Sequence, residues 1–443
     1  MNAQTADRIL TGQYVLTMDS QRTIIEQGGV AISGDTIMAV GPAATLRQQY
    51  PQAELLAEPY GLIMPGLVNT HTHAAMSLFR GLADDLPLMQ WLQEYIFPVE
   101  ATLTGDLVYH GALLSICEMI KSGTTSFCDM YLFAGDVARA AETAGMRAWI
   151  GEVLYDFPSP NYGELENGFA YTRTLFDQYR HHPLIKITVD PHAVYTCSPG
   201  LLTRLGDLAR DEKALYVIHL AETGDETRTC QERYGRSPVE HLEALHLLGP
   251  NFVAGHCVRL TDKEIALLEE REVKVAHCPE ANMKLASGIA PVPQMLAAGL
   301  TVGIGTDGSA SNNDVDMFGE MNTAAKIQKV ACMDPAVMGA DATLHAATMG
   351  GASVLGAGTL IGSLEAGKKA DCIVLDLNQP HLTPIYHPAS HLVYAARGSD
   401  VIHSVIGGRL VMRNRQLLTL DETAILAKAR EIGSSMRHRC KGG

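Results

Sequence analysis

The chain is short of cations and nowhere clusters them. Against 49 Asp and Glu stand 34 Lys and Arg, a formal charge of −15, and no stretch offers the basic stripe that a nucleic-acid surface needs. No run of about 18 apolar residues occurs, so no membrane contact is expected. Residues 1–8 show no basic segment leading into an apolar one, so the protein is expected in the cytoplasm. The nine cysteines are odd in number, scattered and never spaced Cys-x-x-Cys, so neither a disulfide framework nor a thiolate zinc site is indicated. They read as buried thiols, including Cys257 and Cys278, although each follows a histidine at a strand end. Also missing are any 20–50-residue repeat, a low-complexity tract and a Gly-x-Gly-x-x-Gly loop between strand and helix, so phosphate-cradling chemistry has no loop to work with.

What is present is a long alternation of strand and helix patterns. The 443 residues suffice for one barrel and a satellite domain. Apolar runs predict strands at 62–69, 124–129, 147–151, 185–190, 215–218, 252–255, 274–276 and 302–306, separated by helical patterns such as 104–121, 136–144, 262–270 and 294–298. Outside this region, hairpin-rich segments recur at both chain ends, with turns at Gly34-Asp35 and Gly407-Gly408. Neither end can bury a core alone. The expected fold is therefore α/β: a distorted (β/α)8 TIM barrel over residues 62–364, with a small β-sandwich built from 1–61 and 365–443.

Polar residues gather where these strands end. His71-Thr72-His73 follows the first apolar run, His219 the fifth, His256 the sixth and Asp307 the eighth, and the C-terminal face of such a barrel brings these positions around one centre. His71, His73, His219 and Asp307 form an N3O donor set that suits one Zn2+ per subunit well and Fe2+ nearly as well. A catalytic ion keeps a position for water and lowers its pKa from roughly 15.7 to about 7, which implies hydrolysis. Glu222, just beyond His219, can lean over the metal and carry a proton, a reading favoured over that of a solvated loop glutamate. His256 is placed to hydrogen-bond the hydroxide or a developing oxyanion. His277 ends the seventh strand in the same way and stays open between core and site. In the fourth strand Lys186 comes too early to bridge two metals, so one metal is expected, and His192 at the strand's mouth reads as a substrate contact.

The stretches Pro65-Gly66-Leu67-Val68-Asn69-Thr70-His71-Thr72-His73, His219-Leu220-Ala221-Glu222, Gly255-His256-Cys257, His277-Cys278-Pro279 and Gly303-Ile304-Gly305-Thr306-Asp307-Gly308 resemble the amidohydrolase superfamily. Within it the chain is similar, over nearly its whole length, to the 5′-methylthioadenosine/S-adenosylhomocysteine deaminases. The resemblance implies that the segment Trp91 to Glu100 caps the pocket, with Trp91 on the substrate and Glu100 on the ribose hydroxyls, and that His192 also contacts the substrate. It further implies zinc-bound hydroxide attacking C6 of a 6-aminopurine nucleoside, Glu222 protonating the ring nitrogen, Asp307 taking the hydroxide proton, and ammonia leaving. Two departures stand out. Where relatives that hold S-adenosylhomocysteine place arginines after the third strand, this chain has Glu152 and Glu164-Leu165-Glu166-Asn167, leaving Arg147 or Arg173 as substitutes; this favours 5′-methylthioadenosine, with adenosine and 5′-deoxyadenosine as secondary substrates. Ala281 stands where the family commonly has serine. The rival readings are a guanine deaminase or triazine hydrolase on the same barrel, and a non-catalytic metal-binding scaffold. A homo-oligomer is expected.

Overall fold

A computed structural model describes residues 5–86 and 88–441, with side chains except at 88, 89 and 437–441. The eight central apolar runs become parallel strands: β1 (Leu67–Thr72), β2 (Thr124–Tyr131), β3 (Arg147–Leu154), β4 in two pieces (Ile185–Ile187 and Asp190–Pro191), β5 (Tyr216–Leu220), β6 (Phe252–His256), β7 (Lys274–His277) and β8 (Thr301–Ile304). The first four form one continuous arc and the last four another. At one seam the arcs touch through the bridges Val189↔Tyr216 and Ala193↔His219. At the other, the Asp307 amide donates to the His71 carbonyl at 2.9 Å and the Thr306 amide to Asn69 Oδ1 at 3.1 Å. The ring is therefore closed but interrupted, a distorted (β/α)8 barrel whose second seam passes directly beneath two of the metal-ligand candidates.

The helices start where short polar side chains can take up free amides. Thr104 caps Gly105–Lys121, Ser198 caps Pro199–Glu212, and Thr261 with Glu264 forms a capping box on Asp262–Glu270. Gly145, at φ +73°, ends Ala134–Ala144, the left-handed position that glycine adopts without strain.

Strands from both chain ends form a nine-stranded sheet in which Cys372–Asp376 lies antiparallel to Glu54–Pro65, with Ile373 opposite Met64. Its two predicted hairpin tips come together: the Gly408 amide donates to the Ala370 carbonyl at 3.0 Å, and the Ala370 amide to the Asp35 carbonyl at 2.8 Å. The sheet thus bends over a core of its own that includes Leu10, Val30, Ile32, Ile63, Val374 and Val405. One expectation is corrected here. Residues 62–65, read as the start of the first barrel strand, finish Glu54–Pro65 in this outer sheet. The chain changes sheets at Gly66, which passes so close to β2 that a Cβ there would sit 2.0 Å from Thr125 Oγ1.

Among the described residues no helix is long and apolar enough to cross a membrane. The eight cysteines whose side chains are described are all free, and only Cys332 is not buried; the side chain of Cys440 lies outside the described residues.

Candidate metal centre and active site

His71 and His73 straddle the end of β1, His219 lies near the end of β5, and Asp307 follows β8. One ligand atom from each falls within 4.8 Å of all the others. Hydrogen bonds behind the rings set their orientation. Nδ1 of His73 donates to the Met130 carbonyl at 2.5 Å, and Nδ1 of His219 to the His192 carbonyl at 2.8 Å. A carbonyl only accepts, so in each neutral ring the lone pair is on Nε2, and the two Nε2 atoms face each other at 3.3 Å. Asp307 Oδ1 lies 3.0 Å from His73 Nε2 and 3.6 Å from His71 Nε2, while Oδ2 accepts from Ser311 Oγ at 2.6 Å.

Such a convergence of buried acceptors requires a cation. Burial pushes His71 down to about 4 and His219 well below its ordinary value, keeping both neutral as metal ligands must be. Burial also opposes charge on His73, yet its bond to Asp307 outweighs this and raises it to about 9, so without a metal a proton fills the role. Both nitrogens of His71 and Oδ1 of Asp307 are buried without a hydrogen-bond partner. These residues fit a divalent metal.

The proton-handling candidates stand beside this set. Glu222 is buried, and burial raises its carboxyl above the ordinary range despite the opposing influence of His256. Its turn is held by Glu226, whose carboxylate accepts from the Ala221 amide at 3.1 Å and the Glu222 amide at 2.7 Å. His256 Nε2 lies 4.0 Å from Glu222 Oε2, and its ring centre is 5.4 Å from those of His71 and His219.

A cavity opens over these groups. His73, His192, His219, Glu222, His256 and Asp307 line its inner end. His71 lies behind them. The capping segment, the helical turns Leu88–Trp91, Leu92–Ile96 and Phe97–Glu100, contributes Trp91, Leu92, Phe97 and Glu100. Sequence reasoning missed the aromatic side of this cavity: Tyr131, Tyr155 and Phe157, the last two stacked with ring centres 3.8 Å apart. The available signal was their place at or just past the ends of β2 and β3.

No Lys or Arg lines the cavity among the described residues. Arg147, considered as a substrate contact, is corrected: it begins β3 at the far end of the barrel and is held by Asp371, with Nε to Oδ2 at 2.5 Å. Arg173 is exposed on Leu165–Tyr179, away from the cavity. Glu152 turns away from the cavity and accepts from the Ala134 amide at 2.8 Å and Asn161 Nδ2 at 2.9 Å. Lys186 is exposed on β4. His277 is buried off the cavity wall, and burial lowers it to about 3.

Residues 62–411 match the amidohydrolase family, and residues 28–53 match a bacterial imidazolonepropionase-like composite domain. The 5-methylthioadenosine/S-adenosylhomocysteine deaminase of Syntrophobacter fumaroxidans is 54% identical over 99% of this chain and 100% of that protein. The 5′-deoxyadenosine deaminase of Methanosarcina acetivorans is 44% identical over 97% of this chain and 98% of that one. The crystal structure of an adenosine deaminase from Xanthomonas campestris with bound zinc matches with a TM-score of 0.97 at 40% identity, over 98% of this chain and 99% of that one. The chain belongs to the amidohydrolase family, in its branch of 5-methylthioadenosine/S-adenosylhomocysteine deaminases.

Proposed function

We propose that the protein is a zinc-dependent deaminase of 6-aminopurine nucleosides that turns 5′-methylthioadenosine and water into 5′-methylthioinosine and ammonia. The observation that carries this reading is one cavity that joins three of the four metal-ligand candidates, His73, His219 and Asp307, to Glu222, His256 and Glu100, and whose described wall has no Lys or Arg. Three imidazoles and a carboxylate suit Zn2+, with Fe2+ second. When bound, such an ion lowers the pKa of a water molecule to about 7.

The chain's own residues do the rest. Glu100 accepts hydrogen bonds from the two ribose hydroxyls, which a carboxylate can do bidentately. Trp91 and His192 flank the substrate. His192 stays neutral because burial lowers it to about 3, and its Nδ1 is 2.8 Å from Thr196 Oγ1. Glu222, whose raised pKa favours the acid form, gives its proton to N1 of the purine as the water oxygen bonds to C6. One proton of that water passes through His256 to Asp307 and on to the exocyclic amine. The C6–N bond breaks and ammonia leaves. As the C6 hydroxyl becomes a carbonyl, its proton returns to Glu222, which balances the cycle.

Phe97, Tyr155 and Phe157 give the 5′ end an apolar surface that suits a methylthio group. The amino-acid tail of S-adenosylhomocysteine would find no cation there and would forgo a charge-assisted bond of about 1.5–3 kcal/mol. Adenosine and 5′-deoxyadenosine share the purine and ribose contacts and rank as secondary substrates. A homo-oligomer in the cytoplasm completes the reading. An ammonia-release panel of 5′-methylthioadenosine, S-adenosylhomocysteine, adenosine and guanine tests it, with Glu222→Gln as the inactive control. Equal kcat/KM for S-adenosylhomocysteine and the methylthio compound would refute the preference, and turnover of guanine alone would refute the nucleoside assignment.

A further inference from the structure

We propose that Asn282 is a positioning residue for both proton carriers, setting the tautomer of His256 with its side chain and the orientation of Glu222 with its main chain. This rests on the assignment of proton transfer to those two residues.

Asn282 lies in the short helix Pro279–Lys284 beyond β7 and is almost wholly buried. Its Oδ1 is 2.9 Å from His256 Nδ1. An amide oxygen only accepts, so the imidazole hydrogen sits on Nδ1 and the lone pair on Nε2, which faces Glu222 Oε2 at 4.0 Å. The unprotonated nitrogen of that ring thus faces the Glu222 carboxyl. The opposite tautomer would turn an N–H toward Glu222 and leave no lone pair for the water proton.

The main chain of the same residue reaches the second carrier. The Asn282 carbonyl accepts from the Ser287 amide at 2.9 Å, and Ser287 Oγ in turn lies 3.4 Å from Glu222 Oε1. His256 and Cys257 have φ of +67° and +50°, a left-handed conformation that non-glycine residues hold only where their surroundings fix it. Asn282 Nδ2 is buried and makes no hydrogen bond, so the amide is used at this position for its oxygen alone. Aspartate keeps that acceptor, whereas leucine, of similar size, removes it.

The test compares metal-loaded wild type, Asn282→Asp and Asn282→Leu by 15N NMR of labelled histidine, with the His256 signals assigned by difference from His256→Gln. Metal content, Tm, kcat and KM for 5′-methylthioadenosine are measured alongside. Wild type and Asn282→Asp are expected to show the Nδ1–H tautomer, and Asn282→Asp to retain most of kcat. Asn282→Leu is expected to lose that signature and about ten- to hundredfold in kcat, with KM, metal content and Tm held. A wild-type His256 protonated on Nε2 would overturn the proposal, as would wild-type kcat in Asn282→Leu or equal losses in both variants accompanied by lower Tm. The NMR arm needs no substrate, so a wild type inactive on 5′-methylthioadenosine but showing the Nδ1–H signature would count against the substrate alone.

Discussion

Nε2 of His219 lies 3.3 Å from Nε2 of His73, and each ring is anchored from behind by a main-chain carbonyl. Two lone pairs held this close repel unless a cation lies between them, so metal binding and folding stability are coupled. Chelation is expected to lower Tm and abolish turnover, and one equivalent of Zn2+ to restore both. At a hundredfold excess over Kd the ion adds about 2.7 kcal/mol. His219→Ala and Asp307→Ala should be purified without stoichiometric metal. Elemental analysis checks this, and full metal content in either variant would contradict the four-ligand set.

If Glu100 holds the ribose hydroxyls as proposed, binding should depend on pH. Burial raises its carboxyl to about 7, so the group takes up a proton as pH falls through that value and then no longer accepts from two ribose hydroxyls. KM for 5′-methylthioadenosine should therefore rise as the medium becomes more acidic through about 7 and level off on the alkaline side. Glu100→Gln should raise KM on the alkaline side toward the acidic-side value of the wild type and remove this dependence. Steady-state kinetics across pH decides the matter, and a KM that falls on acidification would reverse the assigned role.

Arg147 and Asp371 form a buried pair that ties the start of β3 to the outer sheet, and Asp371 also accepts from the Gly407 amide at 2.6 Å. Asp371→Ala leaves the guanidinium buried and unpaired, at an expected cost of about 3–5 kcal/mol. The double variant Arg147→Met/Asp371→Leu should recover much of this loss. Because the pair lies at the end of the barrel opposite the cavity, kcat/KM of the folded protein should hold in each case. Denaturant unfolding with parallel kinetics checks both halves.

The cluster of His71, His73, His219 and Asp307 was legible because side-chain identity and position coincide: each histidine or aspartate closes a short buried run, and the barrel's geometry brings such ends together. The turn residues Gly34-Asp35 and Gly407-Gly408 were legible for an equally local reason. Contacts made across the fold left no comparable mark. Leu62 to Pro65 reads as one run with β1, since apolarity does not show which sheet a residue joins, and only the tight passage at Gly66 separates them. Tyr155 and Phe157 look like core aromatics until β3 delivers them to the cavity. Arg147 was near the right place in sequence but at the wrong end of its strand. Asn282 meets His256 across 26 residues, a pairing that no spacing rule announces.

The 5′ end of the substrate can be probed from its own wall. Phe157 is 40% exposed at the cavity's aromatic side and stacks on Tyr155, and in the proposed binding mode a longer 5′ substituent would emerge beside it. Phe157→Arg brings a cation to that point. Because the position is partly exposed, solvent limits the gain to about 1 kcal/mol, roughly fivefold. The ratio of kcat/KM for S-adenosylhomocysteine to that for 5′-methylthioadenosine should rise by that factor, with a larger effect at low ionic strength, where screening weakens. Loss of the stacked ring should also reduce kcat/KM for the methylthio compound. An unchanged ratio at low salt, with turnover of both nucleosides intact, would place the tail on another path out of the cavity and remove Phe157 from the specificity argument.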